Sequence, residues 1–254
     1  GRYFVNDTSP NGAIDILANN INITCNGTEI YGDGTDYLFW NDGYDNVVIK
    51  GCNMTLYDTA ITLRGGATSN IIEDNYFGTN DNEAIELGTT TFNIIRNNTI
   101  EKKSIGIDGA TGGNNNTIVN NTFISQLTRG IDLSGDHNNI TNNTFINQTN
   151  NALTLDSSTS NSLVWGNRFL DTRGVSDSGT NSNFCVNDEY GNYYDLTVSY
   201  TNVEAKDCGP SPNATIVLHS SSSKYNWTWG STGTTTFNEL REAVYNTEST
   251  DTIV

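Results

Sequence analysis

Three carboxylates recur at nearly equal intervals in the middle of the chain, and they are the residues best suited to chemistry. They are Glu86, Asp108 and Asp132, with Thr62 and Thr154 continuing the same interval on either side. Carboxylates stacked about 5 Å apart in a sheet repel each other, which either raises a pKa or recruits a hard cation such as Ca²⁺. Ca²⁺ is the one cofactor that this pattern suggests. Both effects require a fold that stacks residues about 23 positions apart.

The elements that could position these carboxylates belong to a repeat of about 23 residues. Its most regular copy reads I-V-N-N-T-F at residues 118–123, and related segments occur at Ile49–Met54, Ile72–Phe77, Ile95–Ile100, Ile140–Phe145 and Val164–Phe169. A period of this length indicates a solenoid, because each repeat buries its apolar face only by stacking on its neighbours. The alternation of apolar and polar residues, rich in Ile, Phe and Thr, predicts a short strand in each copy.

A second strand follows in each period. Its copies are Ile61–Leu63, Ile85–Leu87, Ile107–Asp108, Ile131–Leu133 and Leu153–Leu155. Small residues that suit a tight corner precede them, at Ala60, Ala84, Gly106, Gly130 and Ala152. Two or three short strands per coil predict an all-β protein, a parallel β-helix in which equivalent residues of successive coils lie about 4.8 Å apart.

Asparagine recurs at one position of this repeat. The column is Asn75, Asn98, Asn121, Asn143 and Asn167, with Cys52 in the same place in the first copy. Stacked amides donate and accept hydrogen bonds from coil to coil, so the column predicts an asparagine ladder inside a corner. The alternative is that Asn serves here only as a turn residue.

The pattern x-N-N-x-I-x-N-N-T-F, seen at Asn115–Phe123 and, with His137 in place of the first Asn, at His137–Phe145, resembles the right-handed parallel β-helix repeats of the nitrous-oxide-reductase maturation type. The resemblance covers about residues 15–195. Such repeats abound in archaeal surface and extracellular proteins, which implies an extracellular or cell-surface location and an archaeal source. The scaffold also carries lyases, hydrolases, adhesins and structural proteins, so the resemblance is specific for fold rather than for function.

The resemblance gives the acidic column a second interpretation. Glycosidases and lyases on this scaffold place catalytic carboxylates on such faces with Arg or Lys nearby, which would make Asp108 and Asp132, with Glu86, the catalytic groups. The arginines of this region occur at scattered positions of the repeat and predict no matching basic column; they are Arg64, Arg96, Arg129 and Arg168. We therefore favour a solvated acidic face and expect no catalytic residue.

The amino-acid composition argues against some classes of binding partner. The 254 residues carry a net charge of −17 with only 12 Lys and Arg, which argues against binding nucleic acid or an anionic membrane. No apolar run approaches the roughly 20 residues of a membrane span. The chain begins with Gly1 and has no recognisable signal peptide, so we expect a processed form or a segment of a longer product.

Four cysteines fit two disulfides formed in an oxidising compartment. Cys25 and Cys52 are about one coil apart, so they are expected to face each other, and Cys185 with Cys208 would close a loop near the far end. The chain has no C-x-x-C motif, and its two histidines, His137 and His219, are far apart. We therefore expect no zinc or copper site.

Twelve N-x-S/T sequons make the chain a candidate for N-glycosylation. They are Asn6, Asn22, Asn26, Asn53, Asn97, Asn115, Asn120, Asn139, Asn142, Asn147, Asn213 and Asn226. The N-N-T-F consensus creates several of them without selection for glycans. Asn97, Asn120 and Asn142 share one phase of successive coils about 4.8 Å apart, so we expect partial occupancy there.

The sequence divides into three parts: a parallel β-helix at 1–195, a loop and linker region with a disulfide at 196–235, and a helix plus strand at 236–254. A capping box at Thr236–Glu239 predicts a short helix over 237–246, and Thr250–Val254 predicts the beginning of a strand. This tail resembles the segment that opens β-helix domains of the same family.

The tail therefore looks like the missing start of the chain's own first coil. We expect it either to cap the first coil of a neighbouring copy or to link units of a tandem array, with folding back on its own body as the alternative. The expected contact residues are Phe237, Leu240, Val244, Ile253, Val254, Tyr3 and Val5.

The sequence favours a non-enzymatic extracellular structural protein, a glycosylated β-helix that assembles head to tail with copies of itself. The alternatives are a polysaccharide lyase or hydrolase, and a glycan-binding adhesin that uses the aromatic residues of 37–40 or Trp227 and Trp229.

Overall fold

The predicted parallel β-helix is confirmed. A computed structural model of the chain describes residues 1–6, 11–79, 82–109, 112–172, 174–185, 191–194 and 199–201, followed by four short strands. Successive coils stack in parallel register, and the residues that pair are about 23 positions apart, such as Ile95 with Ile72 and with Ile118. Two sheets run along the solenoid, and these are called sheet 1 and sheet 2 below.

Sheet 1 contains most of the strands. Within the described residues they are β1 (Arg2–Phe4), β3 (Asn22–Tyr31), β5 (Val48–Thr55), β7 (Ile71–Glu73), β8 (Tyr76–Phe77), β10 (Ile94–Arg96), β11 (Thr99–Glu101), β13 (Thr117–Val119), β14 (Thr122–Ile124), β16 (Asn139–Thr141), β17 (Thr144–Ile146), β19 (Leu163–Trp165), β20 (Arg168–Leu170) and β22 (Tyr193–Tyr194). The long strands β3 and β5 cross the whole sheet. From Ile71 onwards each coil contributes two shorter strands separated by a corner.

Sheet 2 receives one strand from each coil. Its order is β2 (Gly12–Ile16), β4 (Tyr37–Asp42), β6 (Thr59–Arg64), β9 (Glu83–Leu87), β12 (Ile105–Gly109), β15 (Arg129–Leu133), β18 (Asn151–Leu155), β21 (Gly174–Asp177) and β23 (Ser199–Thr201). The last of these strands lies beyond the boundary expected at residue 195.

The four strands beyond the solenoid pair with one another. They are β24 (Thr215–Ile216), β25 (Tyr225–Thr228), β26 (Thr234–Phe237) and β27 (Thr252–Ile253). β25 and β26 form an antiparallel pair, so Phe237 ends a strand where a helix was expected to begin. β27 pairs in parallel with β24. Residues 238–251, which hold the rest of the expected helix with Leu240 and Val244, lie outside the described residues, as does Val254.

Corner residues explain the abundance of asparagine. Three columns of the solenoid adopt the left-handed backbone conformation, with φ between 50° and 60° at most of their non-glycine members. One column contains Asp74, Asn97, Asn120 and Asn142, between the two strands that each coil gives to sheet 1. Asn tolerates this conformation better than other residues with a side chain. The sequence analysis identified the strands but not these three left-handed corners.

The core is a set of stacked apolar columns. Ile72, Ile95, Ile118, Ile140 and Val164 form one column, and each is at most 1 % exposed. Phe123, Phe145 and Phe169 form another, with ring centroids 4.7 and 4.9 Å apart and the planes nearly parallel. Gly130 must lack a side chain, because a Cβ there would lie 2.4 Å from the Ala152 carbonyl oxygen.

The predicted asparagine ladder is present and longer than expected. Along it, each buried Asn accepts bonds from the backbone N–H and the amide of the preceding rung, as Asn121 Oδ1 does from Asn98 at 3.0 Å in both cases. Asn192 extends the ladder at its far end, and at its near end the backbone N–H of Cys52 donates to Asn75. A second buried ladder, which the sequence analysis missed although the x-N-N spacing signals it, contains Asn70, Asn93, Asn116 and Asn138.

Candidate functional site

The acidic column lies on the outer face of sheet 2. The parallel register places Thr62 beside Glu86, Glu86 beside Asp108, Asp108 beside Asp132 and Asp132 beside Thr154. These residues alternate along each strand with the buried Ile and Leu side chains of the core. The solenoid therefore assembles the proposed site from residues of five successive coils.

Glu86 is neutralised by an arginine, contrary to the expectation that no arginine would match the column. Arg64 donates to Glu86 Oε1 from Nε at 3.0 Å and from a terminal nitrogen at 2.5 Å. The same guanidinium lies over the ring of Trp40, 4.9 Å from its centroid. Arg64 follows the column position of its own coil by two residues, but its long side chain reaches the next coil, which spacing in the sequence does not reveal.

Asp132 is also paired and is not a solvated residue. Arg129, three positions earlier in β15, donates to Asp132 Oδ2, and the aspartate is only 4 % exposed. Burial raises the pKa of the Asp132 carboxyl, and the charge of Arg129 opposes that rise. The expectation of a fully solvated acidic face is therefore wrong at this residue.

Glu83 is a member of the acidic face that the sequence analysis missed. It lies three residues before Glu86 on β9. Burial is the largest influence that raises the pKa of Glu83 to about 8, and the negative charge of Asp108 and a hydrogen bond to Asp108 add to it. No repeated pattern points to Glu83, because its register partners are Thr59 and Ile105, and Arg129 occupies the position one coil further on.

The acidic face can therefore hold a proton near neutral pH. Glu83 in its protonated form donates to Asp108, so the two carboxyls share one proton. Ionising both would place two negative charges in contact, which is unfavourable. The remaining acids of the column, Glu86 and Asp132, are held by Arg64 and Arg129. This arrangement compensates the stacked charges internally and provides a weak proton donor.

The aromatic patch at residues 37–40 is divided between core and surface. Leu38 and Phe39 are buried, while Tyr37 packs edge-on against Trp40 with ring centroids 5.3 Å apart. Arg64 covers the Trp40 ring, which reduces its use as a platform for a sugar. The other expected platform involves Trp227, which lies in β25, and Trp229, which lies outside the described residues.

The metal-binding side chains of the described residues are not clustered into a site. The described part of the chain contains no group of three or more His, Cys, Asp or Glu side chains arranged to hold a metal ion. Copper prefers imidazole and sulfur ligands. Met54 is fully buried, His137 is exposed at a left-handed corner, and Cys25 and Cys52 are bonded to each other. His219 and Cys208 lie outside the described residues.

The predicted Cys25–Cys52 disulfide is present. It joins β3 to β5 with Cα atoms 4.8 Å apart, and Cys52 occupies the position at which later coils have a ladder asparagine. Cys185 is also disulfide-bonded, and its expected partner Cys208 lies outside the described residues. The first disulfide fastens the first coil to the second where the asparagine ladder ends.

The first coil carries an open sheet edge. Among the described residues, β1 pairs only with β3 and β2 pairs only with β4. Tyr3 is 61 % exposed, Phe4 56 % and Leu17 74 %. Val5, expected to be a contact residue, instead lies partly buried against the core and accepts a hydrogen bond from Tyr57 at 2.8 Å. Of the contact residues expected in the tail, Ile253 lies in β27 and pairs with Ile216.

The sequons differ in the exposure and hydrogen bonding of their asparagine side chains. Six of those described have Asn at a left-handed corner with an exposed side chain: Asn26, Asn97, Asn115, Asn120, Asn142 and Asn147. Some amides are engaged, as Asn6 donates to Asp33 and Asn22 accepts from Thr24. The Oδ1 atoms of Asn53 and Asn139 are buried without a hydrogen-bond partner. Asn213 and the side chain of Asn226 lie outside the described residues.

Comparison with known proteins identifies the family. No curated protein and no solved structure matches the chain significantly. No helix in the described residues is long and apolar enough to cross a membrane. The sequence profile of the family described as periplasmic copper-binding protein (NosD) matches residues 4–203, a region that contains all the solenoid strands after β1 and part of β1 itself. The match covers well over half of the chain, so this protein belongs to the NosD family of parallel β-helix proteins.

Proposed function

We propose that this protein is a structural subunit outside the cytoplasm, a glycosylated β-helical rod that assembles head to tail into a filament or surface layer. The observation that carries the proposal is the open first coil, where Tyr3, Phe4 and Leu17 are each more than half exposed. Apolar side chains beside unpaired strand edges favour the addition of another strand. A non-enzymatic scaffold is the function that this geometry supports best.

The tail supplies a strand that could be added. β27 pairs with β24 through one edge, and a strand has a second edge for a neighbour. We propose that β27 of one copy adds in parallel to β2 of the next, which leaves the β24 pairing in place. Such a contact joins two different surfaces, so it propagates into a filament unless rotation closes it into a ring.

Several features support a location outside the cytoplasm. The family is described as periplasmic, and the Cys25–Cys52 disulfide suits an oxidising compartment. The resemblance to archaeal surface proteins and the exposed sequons extend the proposal to an archaeal cell surface with covalent N-glycans.

The copper named in the family description is not part of the proposal. The described side chains do not fit a copper site, because Met54 is buried, two of the cysteines are bonded to each other and His137 is a lone imidazole. We therefore assign this solenoid a scaffold role rather than a role in binding copper.

A second candidate function is supported by the Glu83–Asp108 pair. A carboxyl that holds a proton at neutral pH is suited to general acid catalysis of polysaccharide cleavage. Under this alternative, Asp108→Asn would abolish cleavage of a polysaccharide panel while leaving assembly intact. Absence of cleavage by the unaltered protein would remove the candidate.

Assembly can be tested on the full chain by mass photometry and negative-stain electron microscopy. Leu17→Glu places a charge on the open coil, and Leu127→Glu is the matched control, because Leu127 is 59 % exposed within the body of the solenoid. We expect elongated assemblies from the unaltered protein and from Leu127→Glu, and monomers from Leu17→Glu. Monomers of the unaltered protein, or equal loss in both variants, would refute the assembly.

A further inference from the structure

The outer face of sheet 1 changes in character along the solenoid. In the earlier coils it is charged: Arg96 pairs with Glu73, and Tyr76 donates to Glu101 at 2.6 Å. In the later coils most of the equivalent outward positions are uncharged, although Arg168 lies beside Thr144. The apolar ones are Val119 and Trp165 on one side of the corner, with the buried Thr141 between them, and Ile124, Ile146 and Leu170 on the other. These five half-buried residues are called the neutral strip.

Two sequons stand in the middle of the neutral strip. Asn120 and Asn142 occupy the corner between its two sides, with φ of 56° and 54°. Both side chains are exposed, and neither has a hydrogen-bond partner among the described residues. Gly166 leaves room beside Asn142, since a Cβ at Gly166 would lie 2.4 Å from Asn142 Oδ1. These amides are therefore accessible to an attached group.

We propose that Asn120 and Asn142 carry the N-linked saccharide and that an uncharged part of this saccharide lies along the neutral strip. The inference rests on the glycosylation proposed above and specifies its sites and its contact. Sugar rings present C–H faces that pack on Trp165 and on the aliphatic side chains without desolvating a charge. Thr122 and Thr144, which complete the two sequons, lie in register beside the corner and offer hydroxyls to the sugar.

Asn97 provides the internal comparison. It occupies the same corner column one coil earlier, also with positive φ and an exposed side chain. Its surroundings are the Arg96–Glu73 ion pair and the Tyr76–Glu101 hydrogen bond. A saccharide attached there would have to cover charged groups, which costs desolvation. We expect a sugar on Asn97 to remain in solvent.

Saccharides on adjacent corners compete for the neutral strip. Asn120 and Asn142 belong to neighbouring coils about 4.8 Å apart, less than the width of two saccharide chains lying side by side. A chain packed on the strip from one corner therefore excludes packing from the other. We expect most molecules to carry one packed saccharide at this pair.

The test uses glycosylated full-length protein, with glycopeptide mass spectrometry for occupancy and hydroxyl-radical footprinting for side-chain exposure. Thr122→Val/Thr144→Val removes both sequons while keeping the side-chain shape and the corner asparagines. Thr99→Val removes the Asn97 sequon and is the matched control. Should the valine variant fold poorly, Asn120→Gly/Asn142→Gly removes the same sites at positions where glycine suits the positive φ.

We expect radical modification of Trp165 and Leu170 to rise at least threefold in the double variant and to stay unchanged in Thr99→Val. If saccharide is found on Asn120 or Asn142 but the modification of Trp165 and Leu170 does not change in the double variant, the proposed contact with the neutral strip is wrong and the proposed glycosylation stands. Absence of saccharide from every sequon would overturn both. Protection that persists in the double variant, together with a dimer by mass photometry, would show that a second copy covers the strip instead.

Discussion

Replacing Asn121 with alanine tests whether the buried asparagine ladder stabilises the solenoid. The Asn121 Oδ1 atom accepts from the backbone N–H and the Nδ2 of Asn98, and its own Nδ2 donates to the Ile95 carbonyl at 2.9 Å. In Asn121→Ala the Asn98 N–H loses its acceptor, while Asn98 Nδ2 keeps its bond to the Ile72 carbonyl. Leaving buried polar groups unsatisfied costs about 1–3 kcal/mol each, so we expect a loss of roughly 2–4 kcal/mol in the free energy of unfolding.

The adjacent corner residue supplies the control. Asn120→Gly changes an exposed asparagine whose φ of 56° glycine adopts without strain, and in protein prepared without saccharide we expect a change below about 0.5 kcal/mol. Asn121→Ala leaves the sequon of Asn120 intact, so any glycosylation does not differ between it and the unaltered protein.

Urea unfolding followed by circular dichroism measures the loss, and hydrogen exchange locates it. Because a solenoid need not unfold in one step, exchange should rise first in the coils on either side of residue 121. A loss below about 1 kcal/mol, or an equal loss in Asn120→Gly, would refute the reasoning that the ladder satisfies otherwise stranded groups.

Two further changes probe the acidic face and the first coil. The raised pKa of Glu83 means that the fold favours its protonated form, so stability is retained below its ordinary value of 4.5 and is lost as pH rises towards about 8. Glu83→Gln should therefore have a higher urea midpoint than the unaltered protein at pH 8.5 but not at pH 4. A constant difference at the two pH values would contradict the pKa shift. Glu29→Gln in β3, away from the acidic face, controls for the loss of a charge. Removing the Cys25–Cys52 disulfide with Cys25→Ala/Cys52→Ala opens a link across 27 residues, for which chain entropy predicts a loss of about 3–4 kcal/mol. Hydrogen exchange should then increase mainly in β3 and β5. An increase spread evenly over the solenoid would show that the disulfide does not stabilise these strands locally.

The first coil and the acidic face differ in how far the sequence could describe them. The Cys25–Cys52 pairing follows from a spacing of about one coil, because stacking brings residues one period apart together. The pairing of Arg64 with Glu86 does not follow, since a long flexible side chain can reach several positions of the next coil. Glu83 was missed for a related reason: its proton depends on burial and on Asp108, and neither leaves a repeated pattern in the sequence.

The sequence by itself determined the solenoid, its period, its core columns and the main asparagine ladder. These features repeat, and parallel stacking converts a repeat in the sequence directly into a column in space. Only the tertiary structure decided which outward side chains pair, which are covered and which remain exposed. Examples are the burial of Asp132, the guanidinium that covers Trp40 and the neutral strip around Asn120. Each depends on how different side chains from adjacent coils pack against one another, and the repeat does not specify that packing.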